Sequence, residues 1–330
     1  MRQNIKNMKN RKITTIGGGS GQFVLLSALR DIEDIDIKAV VSMADSGGST
    51  GRLRDELGVL PPGDILKCTL ALSPDRDNMR KLLQKRFNSD NRLSGHSVGN
   101  MLLTMLSQFA GNFPDGVSAL GEVLDIKGEV LPVTIDKATL VAELTDGTLL
   151  FGEAAIDVPR GNQREKIKKA YLVPYHTNKI MVYPPVIQAI KKADFIFIGP
   201  GDLYTSIIPN FLVGGIKDAI QNTKAEIIYI GNIMTKFGET DHFSAKDFIK
   251  HLEKFLGRKI DTAIVNSGRP DKATLERYKQ QKAELVDPID ERSWGGRTII
   301  KANLISNSAG VVRHDDEKLK MIIEDIVKNS

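Results

Sequence analysis

The alternation of short apolar segments with segments of helical periodicity constrains the fold of this chain more than any other feature. Five continuous apolar runs are predicted as strands buried on both faces, over residues 12–16, 37–43, 194–198, 226–230 and 261–265. Helical spacing predicts helices over residues 23–30, 65–72, 98–109, 186–192, 212–220 and 248–255, and an amphipathic closing helix over 315–327. Strands that alternate with helices form βαβ units. The sequence therefore predicts an α/β fold with a mostly parallel sheet.

Residues 140–153 depart from this pattern. Two apolar stretches flank Asp146 and Gly147, and an Asp-Gly pair in this setting is typical of a type I′ turn. We expect a β-hairpin here, either at the edge of the sheet or as a small appendage.

The composition indicates a folded protein of ordinary polarity, with 41% hydrophobic and 26% charged residues. No apolar run approaches the roughly 18 residues that a membrane helix needs, and no secretory signal follows the basic start. A single cysteine, Cys68, excludes an internal disulfide, and we expect it to be a buried packing residue. These features predict a cytoplasmic protein without membrane insertion.

The formal net charge of +5 comes from the N-terminus. Residues 1–12 carry five basic residues and no acid, so the rest of the chain is formally neutral. A neutral body with a short basic tail is a poor nucleic-acid binder. We therefore expect no nucleic-acid partner, a solvated tail over residues 1–11 and a single domain over 12–330.

Glycine-rich or polar loops follow all five predicted strands, over residues 17–21, 45–52, 199–206, 232–240 and 266–269. Open α/β sheets bind ligands outside the carboxyl ends of their strands. The convergence of these loops predicts one ligand site at this edge of the sheet.

The first loop consists of Gly17, Gly18, Gly19, Ser20 and Gly21. Glycines let the backbone approach an anion, and the free amides of the next helix point at it. The loop lacks both the third glycine of a dinucleotide fingerprint and the Gly-Lys-Ser/Thr of a Walker loop. A phosphate or ribose cradle and a purely structural turn therefore both remain open.

The second loop combines an acid, small residues and an arginine: Asp45, Ser46, Gly47, Gly48, Ser49 and Arg52. Amides and hydroxyls can wrap a phosphate, and arginine can grip it with two hydrogen bonds. Asp64 begins a later helix and is either an ordinary cap or, together with Asp45, a ligand to a divalent ion such as Mg²⁺.

Further ligand-binding candidates lie in the other loops. His96 and Asn100 lie at the start of the apolar helix, where they could face a ligand. For His96 the alternative is a structural role. The third loop presents Gly199, Pro200, Gly201, Leu203, Tyr204 and Thr205. There we expect Thr205 to touch the ligand and Tyr204 to line a base or sugar pocket, with a rigid turn as the alternative.

Asn232 follows the fourth strand, and Arg313 precedes the closing helix. The guanidinium of Arg313 fits phosphate oxygens, with a salt bridge to the adjacent acids as its alternative. No clear base or nucleophile stands in these loops, so Asp45 and Asp64 are the only catalytic candidates.

Seven motifs in this order make the chain similar to a known family. They are Ile16-Gly-Gly-Gly-Ser-Gly21, Ala44-Asp-Ser-Gly-Gly-Ser-Thr-Gly-Arg-Leu-Arg54, Pro61-Pro-Gly-Asp64, Gly95-His-Ser-Val-Gly-Asn100, Gly199-Pro-Gly-Asp-Leu-Tyr-Thr-Ser-Ile-Ile-Pro209, Gly238-Glu-Thr240 and Arg313-His-Asp315. From residue 12 to the C-terminus the chain resembles the YvcK-like gluconeogenesis factors, bacterial relatives of 2-phospho-L-lactate transferase.

This resemblance implies a Rossmann-like three-layer CofD-like domain. It also implies binding of a UDP-sugar such as UDP-N-acetylglucosamine, and a role in cell shape and envelope metabolism on gluconeogenic carbon sources. The hypothesis favoured is a regulatory protein without turnover. The alternative is a metal-dependent enzyme, similar to 2-phospho-L-lactate transferase, acting on a phosphate ester or anhydride. In such an enzyme, Asp45 and Asp64 would orient Mg²⁺, and Arg52 would stabilise the charge on the phosphate. The exact sugar, and whether the chain forms a homo-oligomer, stay open.

Two positions depart from the family pattern. Asp202 stands where these proteins usually carry serine. Ser46 follows Asp45 where the family often has a second aspartate. The second departure weakens the case for a metal site built from two acids of that loop.

Overall fold

A computed structural model describes residues 10–57, 59–88, 93–159, 161, 163–306 and 310–329. The predicted tail over residues 1–11 lies mostly outside the described residues. Its last residue, Arg11, begins the first strand.

The main sheet has eight strands. Their spatial order is β10 (Ser293–Trp294), β11 (Arg297–Ala302), β9 (Thr262–Asn266), β8 (Glu226–Ile230), β7 (Phe195–Ile198), β1 (Arg11–Gly17), β2 (Ile35–Val41) and β3 (Glu129–Pro132). β10 runs antiparallel to β11, and the other neighbours run parallel. The five strands predicted from apolar runs are all present, and they carry the most deeply buried part of the sheet.

Helices cover the sheet. They are α1 (Gly19–Arg30), α2 (Gly48–Leu57), α3 (Gly63–Leu72), α4 (Arg76–Leu83), α5 (Val98–Phe109), α6 (Phe113–Val123), α7 (Glu153–Asp157), α8 (Pro184–Lys192), α9 (Ile208–Phe211), α10 (Ile216–Asn222), α11 (Ala245–Leu256), α12 (Lys272–Gln280) and α13 (Asp316–Asn329). A π-helical turn, Leu203–Ile207, precedes α9. The fold is thus the predicted three-layer α/β sandwich, with Cys68 fully buried in it.

The helix predicted over residues 212–220 is wrong in its first half. α9 ends at Phe211 and α10 begins at Ile216. Between them the backbone turns at Gly215, which has a φ of 96° that a continuous helix cannot contain. The apolar residues show helical spacing across this break because α9 and α10 both face the core.

The predicted hairpin is confirmed as β4 (Ala138–Leu144) and β5 (Leu149–Phe151). Its turn is not type I′, because that turn needs a positive φ at both central residues and only Gly147 has one. The Leu144 carbonyl accepts from Gly147 N at 3.1 Å, as in a type I turn followed by a left-handed glycine. The hairpin forms a separate sheet with β6 (Ile167–Pro174), a strand that the sequence pattern does not predict.

The strand order creates a crevice beside β1. From β1 the chain proceeds to β2 and β3 on one side, whereas β7, β8 and β9 build the sheet on the other side. Loops that leave β1 and β7 therefore diverge, and such a switch point is where doubly wound sheets bind ligands.

Gly21 in α1 lies against the loop after β7. A Cβ atom added to Gly21 would stand 2.1 Å from the Pro200 carbonyl oxygen, which is too close for any side chain. The two loops at the switch point can approach one another because this position has no side chain.

Gly21→Ala is expected to destabilise the protein by roughly 1–3 kcal/mol, because backbone atoms of the Pro200 loop must shift. The measurement is urea unfolding of the variant and the wild type. Gly121→Ala is the matched control: it is also helical, but its new Cβ would meet the Ile126 side chain at 3.0 Å, which can move. In that control the gain in helix propensity should offset most of the cost. Equal losses in the two variants would contradict the proposed close approach.

Candidate functional site

Two adjoining cavities open at the switch point. The larger has a volume of about 720 Å³ and the smaller about 320 Å³. Both are lined by Ser20, Gly21, Asp157, Gly201 and Asp202, which come from the first turn of α1, from the loop after β7 and from α7. The two cavities therefore form one cleft at the predicted edge of the sheet.

The small cavity has five acids in its lining, Asp45, Asp64, Glu153, Asp157 and Asp202, together with Lys67 and small residues. Asp64 lies in the first turn of α3, and Lys67 one turn later donates its Nζ to Asp64 Oδ1 at 2.9 Å. Burial acts to lower the pKa of Lys67, but the charge of Asp64, the hydrogen bond to Asp64 and the charge of Asp45 together outweigh burial and leave this pKa above its ordinary value. Burial and the charge of Asp64 raise the pKa of Asp45, whose Oδ1 accepts from Gly47 N at 2.9 Å.

Glu153 begins α7, immediately after the hairpin. Burial, followed by the charges of Asp45 and Asp157, raises its pKa to about 7. The adjacent residue, Ala154, donates its backbone N to Ser46 Oγ at 3.2 Å. The small second sheet thus brings a carboxyl group that titrates near neutral pH to the second loop.

Lys236 lies where the two cavities meet. Its Nζ bonds to Asp157 and to Asp202 Oδ2, the latter at 2.7 Å, and lies 3.5 Å from Glu239 Oε1. One oxygen atom of each of the three carboxylates lies within 4.8 Å of the others. Burial raises the pKa of Glu239 to about 8, against the attraction of Lys236.

The large cavity is mostly apolar, with polar groups at particular points. Phe237, Tyr278 and Val312 contribute to its wall, and Arg313 lines it from an exposed position. His314 donates from Nε2 to the Gly231 carbonyl at 3.0 Å, and burial lowers its pKa to about 4. This imidazole is therefore neutral near pH 7.

Many predicted site residues meet in this cleft. The small cavity is lined by Gly19, Ser20, Gly21, Asp45, Asp64, Gly201 and Thr205, and the large one by Pro200, Asn232 and Arg313. Asn232 Nδ2 donates to the Gly201 carbonyl at 2.8 Å, which ties the loop after β8 to the loop after β7. Gly18 packs directly on Asp64, since an added Cβ would lie 2.9 Å from its Oδ2. The carbonyl of Gly17 accepts from Ser42 N at 2.8 Å, and Gly199 precedes the cis peptide bond to Pro200.

Ser49, His96 and Asn100 form a buried network of their own. Ser49 Oγ lies 3.0 Å from His96 Nδ1 and accepts from Asn100 Nδ2 at 3.2 Å. This arrangement favours the structural alternative for His96. Arg52 is exposed and donates to the Ser94 carbonyl at 2.6 Å.

Two further predictions need correction in their local structure. The sequence predicts a second loop that runs through residue 52, but α2 begins at Gly48, so the loop covers little more than Asp45, Ser46 and Gly47. In the third loop, Leu203 and Tyr204 are buried, and the Tyr204 hydroxyl pairs with His251 Nε2 at 2.8 Å. The Tyr204 ring packs on His251 in the interior, with a centroid distance of 5.4 Å.

The sequence pattern does not single out four residues that line the cleft, Lys67, Glu153, Asp157 and Lys236, nor Glu239, which pairs with Lys236. Some local signals were present. Lys67 stands three residues after Asp64, and Asp157 stands four residues after Glu153, spacings that put side chains on one helix face. Nothing in the sequence shows that the hairpin delivers α7 to the cleft.

No helix within the described residues is long and apolar enough to cross a membrane.

The fold and the cleft define a doubly wound α/β protein with an acidic crevice at the switch point of its sheet. The family model of 2-phospho-L-lactate transferase CofD matches residues 13–305. A gluconeogenesis factor of Bacillus subtilis is 40% identical over 319 residues, which cover 96% of this chain and 98% of that protein. The gluconeogenesis factor of Listeria monocytogenes is 38% identical over 316 residues, covering 96% and 95%.

A crystal structure of a UPF0052-family protein from Bacillus halodurans matches with a TM-score of 0.87 at 36% identity. The match covers 96% of this chain and 99% of that one. The chain therefore belongs to the CofD family and is similar over nearly its whole length to bacterial gluconeogenesis factors. This confirms the resemblance seen in the sequence motifs.

Glu153→Gln is expected to change the pH dependence of stability. The folded-state pKa of Glu153 is about 7, against an ordinary value of 4.5. Between these values the folded protein keeps a proton that the unfolded chain has released, so this residue lowers the free energy of unfolding as the pH rises towards 7. Glu153→Gln lacks this decrease in the free energy of unfolding. Its free energy of unfolding should therefore rise relative to that of the wild type between pH 4.5 and about pH 7, with no further change at higher pH. Urea unfolding at a series of pH values measures the difference.

Glu143→Gln is the control for this experiment. A hydrogen bond from Lys168 lowers the pKa of Glu143. The contribution of Glu143 to the free energy of unfolding is therefore lost as the pH falls, whereas that of Glu153 changes as the pH rises. A pH profile for Glu153→Gln that parallels the wild type would show that Glu153 does not hold its proton in the folded state.

Proposed function

We propose that this protein binds a nucleotide sugar in the cleft, with UDP-N-acetylglucosamine as the first candidate, and acts as a regulatory gluconeogenesis factor. The observation that carries the proposal is the cleft itself. Its large cavity of about 720 Å³ lies within the usual range for small-molecule sites, and it adjoins a glycine loop at a helix N-terminus.

The lining of the cleft suits the parts of such a ligand differently. The apolar wall formed by Phe237, Tyr278 and Val312 fits a base and ribose. The diphosphate then lies between the first turn of α1 and Arg313, where backbone amides and a guanidinium can neutralise it. The sugar extends towards the small cavity, where carboxylates can accept hydrogen bonds from its hydroxyls.

A divalent ion belongs to this proposal. The small cavity presents five carboxylates and one lysine, a set that would repel a diphosphate. Asp45 and Asp64 supply oxygen atoms of the kind that Mg²⁺ prefers, and both line this cavity. When bound there, Mg²⁺ would supply the positive charge that the lining lacks.

The proposed role follows from the relatives. The proteins of Bacillus subtilis and Listeria monocytogenes are named gluconeogenesis factors, and this chain is similar to them over almost its full length. We extend that role to this chain. From the resemblance of its motifs we add a contribution to cell shape and envelope metabolism on gluconeogenic carbon sources.

A metal-dependent transferase is the second candidate. One observation favours it: Glu153, with a pKa of about 7, lines the same cavity as Asp45 and Asp64 and has the proton affinity of a general acid or base. Incubation with UDP-N-acetylglucosamine and Mg²⁺, followed by chromatography of the nucleotides, separates the two. Intact ligand favours the regulatory protein. Cleavage of the anhydride with water as the acceptor, which releases UMP and a sugar phosphate, favours the enzyme.

Arg313→Ala is expected to weaken binding of UDP-N-acetylglucosamine by about tenfold or more, since charge-assisted bonds to a desolvated anion are strong. Calorimetric titration in the presence of Mg²⁺ measures the affinity, and urea unfolding checks that the fold is unchanged. Arg52→Ala is the matched control, because this exposed arginine donates to the Ser94 carbonyl and should leave the affinity close to that of the wild type.

Two results would contradict the proposal. Absence of any heat of binding in the wild type, with and without Mg²⁺, would remove the nucleotide sugar as the ligand. Equal affinities of the wild type and Arg313→Ala would place the diphosphate elsewhere in the cleft.

A further inference from the structure

We infer that Asp157, Asp202 and Glu239 form a binding site for a divalent cation with oxygen ligands, separate from the Asp45–Asp64 pair. In the present structure the ammonium group of Lys236 stands at this site as the counter-ion. The inference does not depend on the nucleotide ligand proposed above, because it concerns the free protein.

The geometry of the three carboxylates fits such an ion. One oxygen of each lies within 4.8 Å of the other two. Oxygens bound to one Ca²⁺ at about 2.4 Å are at most about 4.8 Å apart, and those around Mg²⁺ lie somewhat closer. Small side-chain movements therefore suffice to bring all three onto one ion.

Charge balance supports the same conclusion. Three carboxylates surround the ammonium group of Lys236, and the Arg164 guanidinium lies near Glu239 and Asp157. Acids therefore outnumber bases in this partly buried group, and a bound cation would relieve the repulsion between them.

Glu239 provides an independent observation. Its side chain has no exposed area, and its Oε1 accepts no hydrogen bond from the residues that the structure describes. The other oxygen, Oε2, accepts from Tyr204 N at 3.1 Å, which fixes the carboxylate. Oε1 therefore faces the Lys236 ammonium group 3.5 Å away without a hydrogen bond, which leaves this oxygen able to bind a cation.

The ligands are held by separate rigid segments. Asp157 ends α7, and Asp202 precedes the π-helical turn, whose Ser206 donates its N to the Asp202 carbonyl at 2.9 Å. Glu239 sits in a turn in which Thr240 N donates to the Lys236 carbonyl at 2.9 Å. Such a turn keeps Lys236 beside the site even when its ammonium group moves away.

The ammonium group of Lys236 can move into the large cavity when the ion binds. Its side chain lines the large cavity, which has room for a displaced ammonium group. The cation and Lys236 then compete for the same three carboxylates. Removal of the Lys236 ammonium group should therefore strengthen cation binding. If Lys236 and the three carboxylates formed only a structural salt bridge, its removal would not strengthen cation binding.

The test is titration of the full chain with Mn²⁺ alone. The electron paramagnetic resonance signal of free Mn²⁺ measures how much of the ion stays unbound. All variants are made in the Asp45→Asn background, so that the Asp45–Asp64 pair does not contribute. We expect Asp202→Asn and Glu239→Gln each to weaken Mn²⁺ binding tenfold or more, and Lys236→Met to strengthen it several-fold. Lys168→Met, which removes an exposed lysine paired with Glu143, is the control and should leave the affinity unchanged.

Three outcomes would overturn the inference: no Mn²⁺ bound in the Asp45→Asn background, affinity unaffected by Asp202→Asn, or affinity unaffected or reduced by Lys236→Met. Circular dichroism checks folding of every variant. If Glu239→Gln fails to fold, Asp202→Asn decides the question, because the Asp202 side chain is 40% exposed and its change leaves the core intact.

Discussion

The parallel pairing of β1 with both β2 and β7 is the constraint on which the rest of this structure depends. Ile13 is in register with Ile37 on one side and with Phe195 on the other, so the carboxyl ends of three strands stand level. The connections then run away from β1 in opposite directions and leave a crevice. Close approach of Gly21 to the Pro200 carbonyl closes the base of that crevice. Candidate ligand groups reach the cleft from these ends, from α3 and α7 beside them, from the loop after β8 and from the segment before α13.

The cleft combines this scaffold with an excess of acid. Burying a carboxylate costs several kcal/mol, and a buried charge is tolerated when a partner neutralises it. Lys67 and Lys236 are those partners, yet each lies between more acids than it can neutralise. The raised pKa values of Asp45, Glu153 and Glu239 have the same origin, because burial and like charges both disfavour the ionised form. Protons and the two lysines therefore offset the negative charge of this cleft.

Much of the fold could be predicted from the sequence, because strands buried on both faces must be continuously apolar and must be separated by turns. The five central strands and the glycine loops follow from that requirement. α2 was missed because a run of glycine, serine and threonine has low helix propensity, and its helix is decided by tertiary contacts. β6 was missed since a half-buried edge strand has only a weak pattern. Asp45 and Asp64 were found because they follow recognisable turns, whereas Glu153 and Asp157 reach the cleft through long-range packing of a second sheet.

The second sheet also explains how this cleft differs from a dinucleotide site on a similar scaffold. The hairpin of β4 and β5 leads through Gly152 directly into α7, and α7 brings Glu153 and Asp157 against loops whose glycines would otherwise suit an anion alone. A phosphate at the start of α1 must then share the cleft with carboxylates only a few ångströms away. Repulsion between them is removed when a cation lies between, so the anion and the cation should bind in a mutually dependent way. Under the proposed function, the acidic side of the cleft would recognise the metal, and the glycine loops would recognise the phosphate.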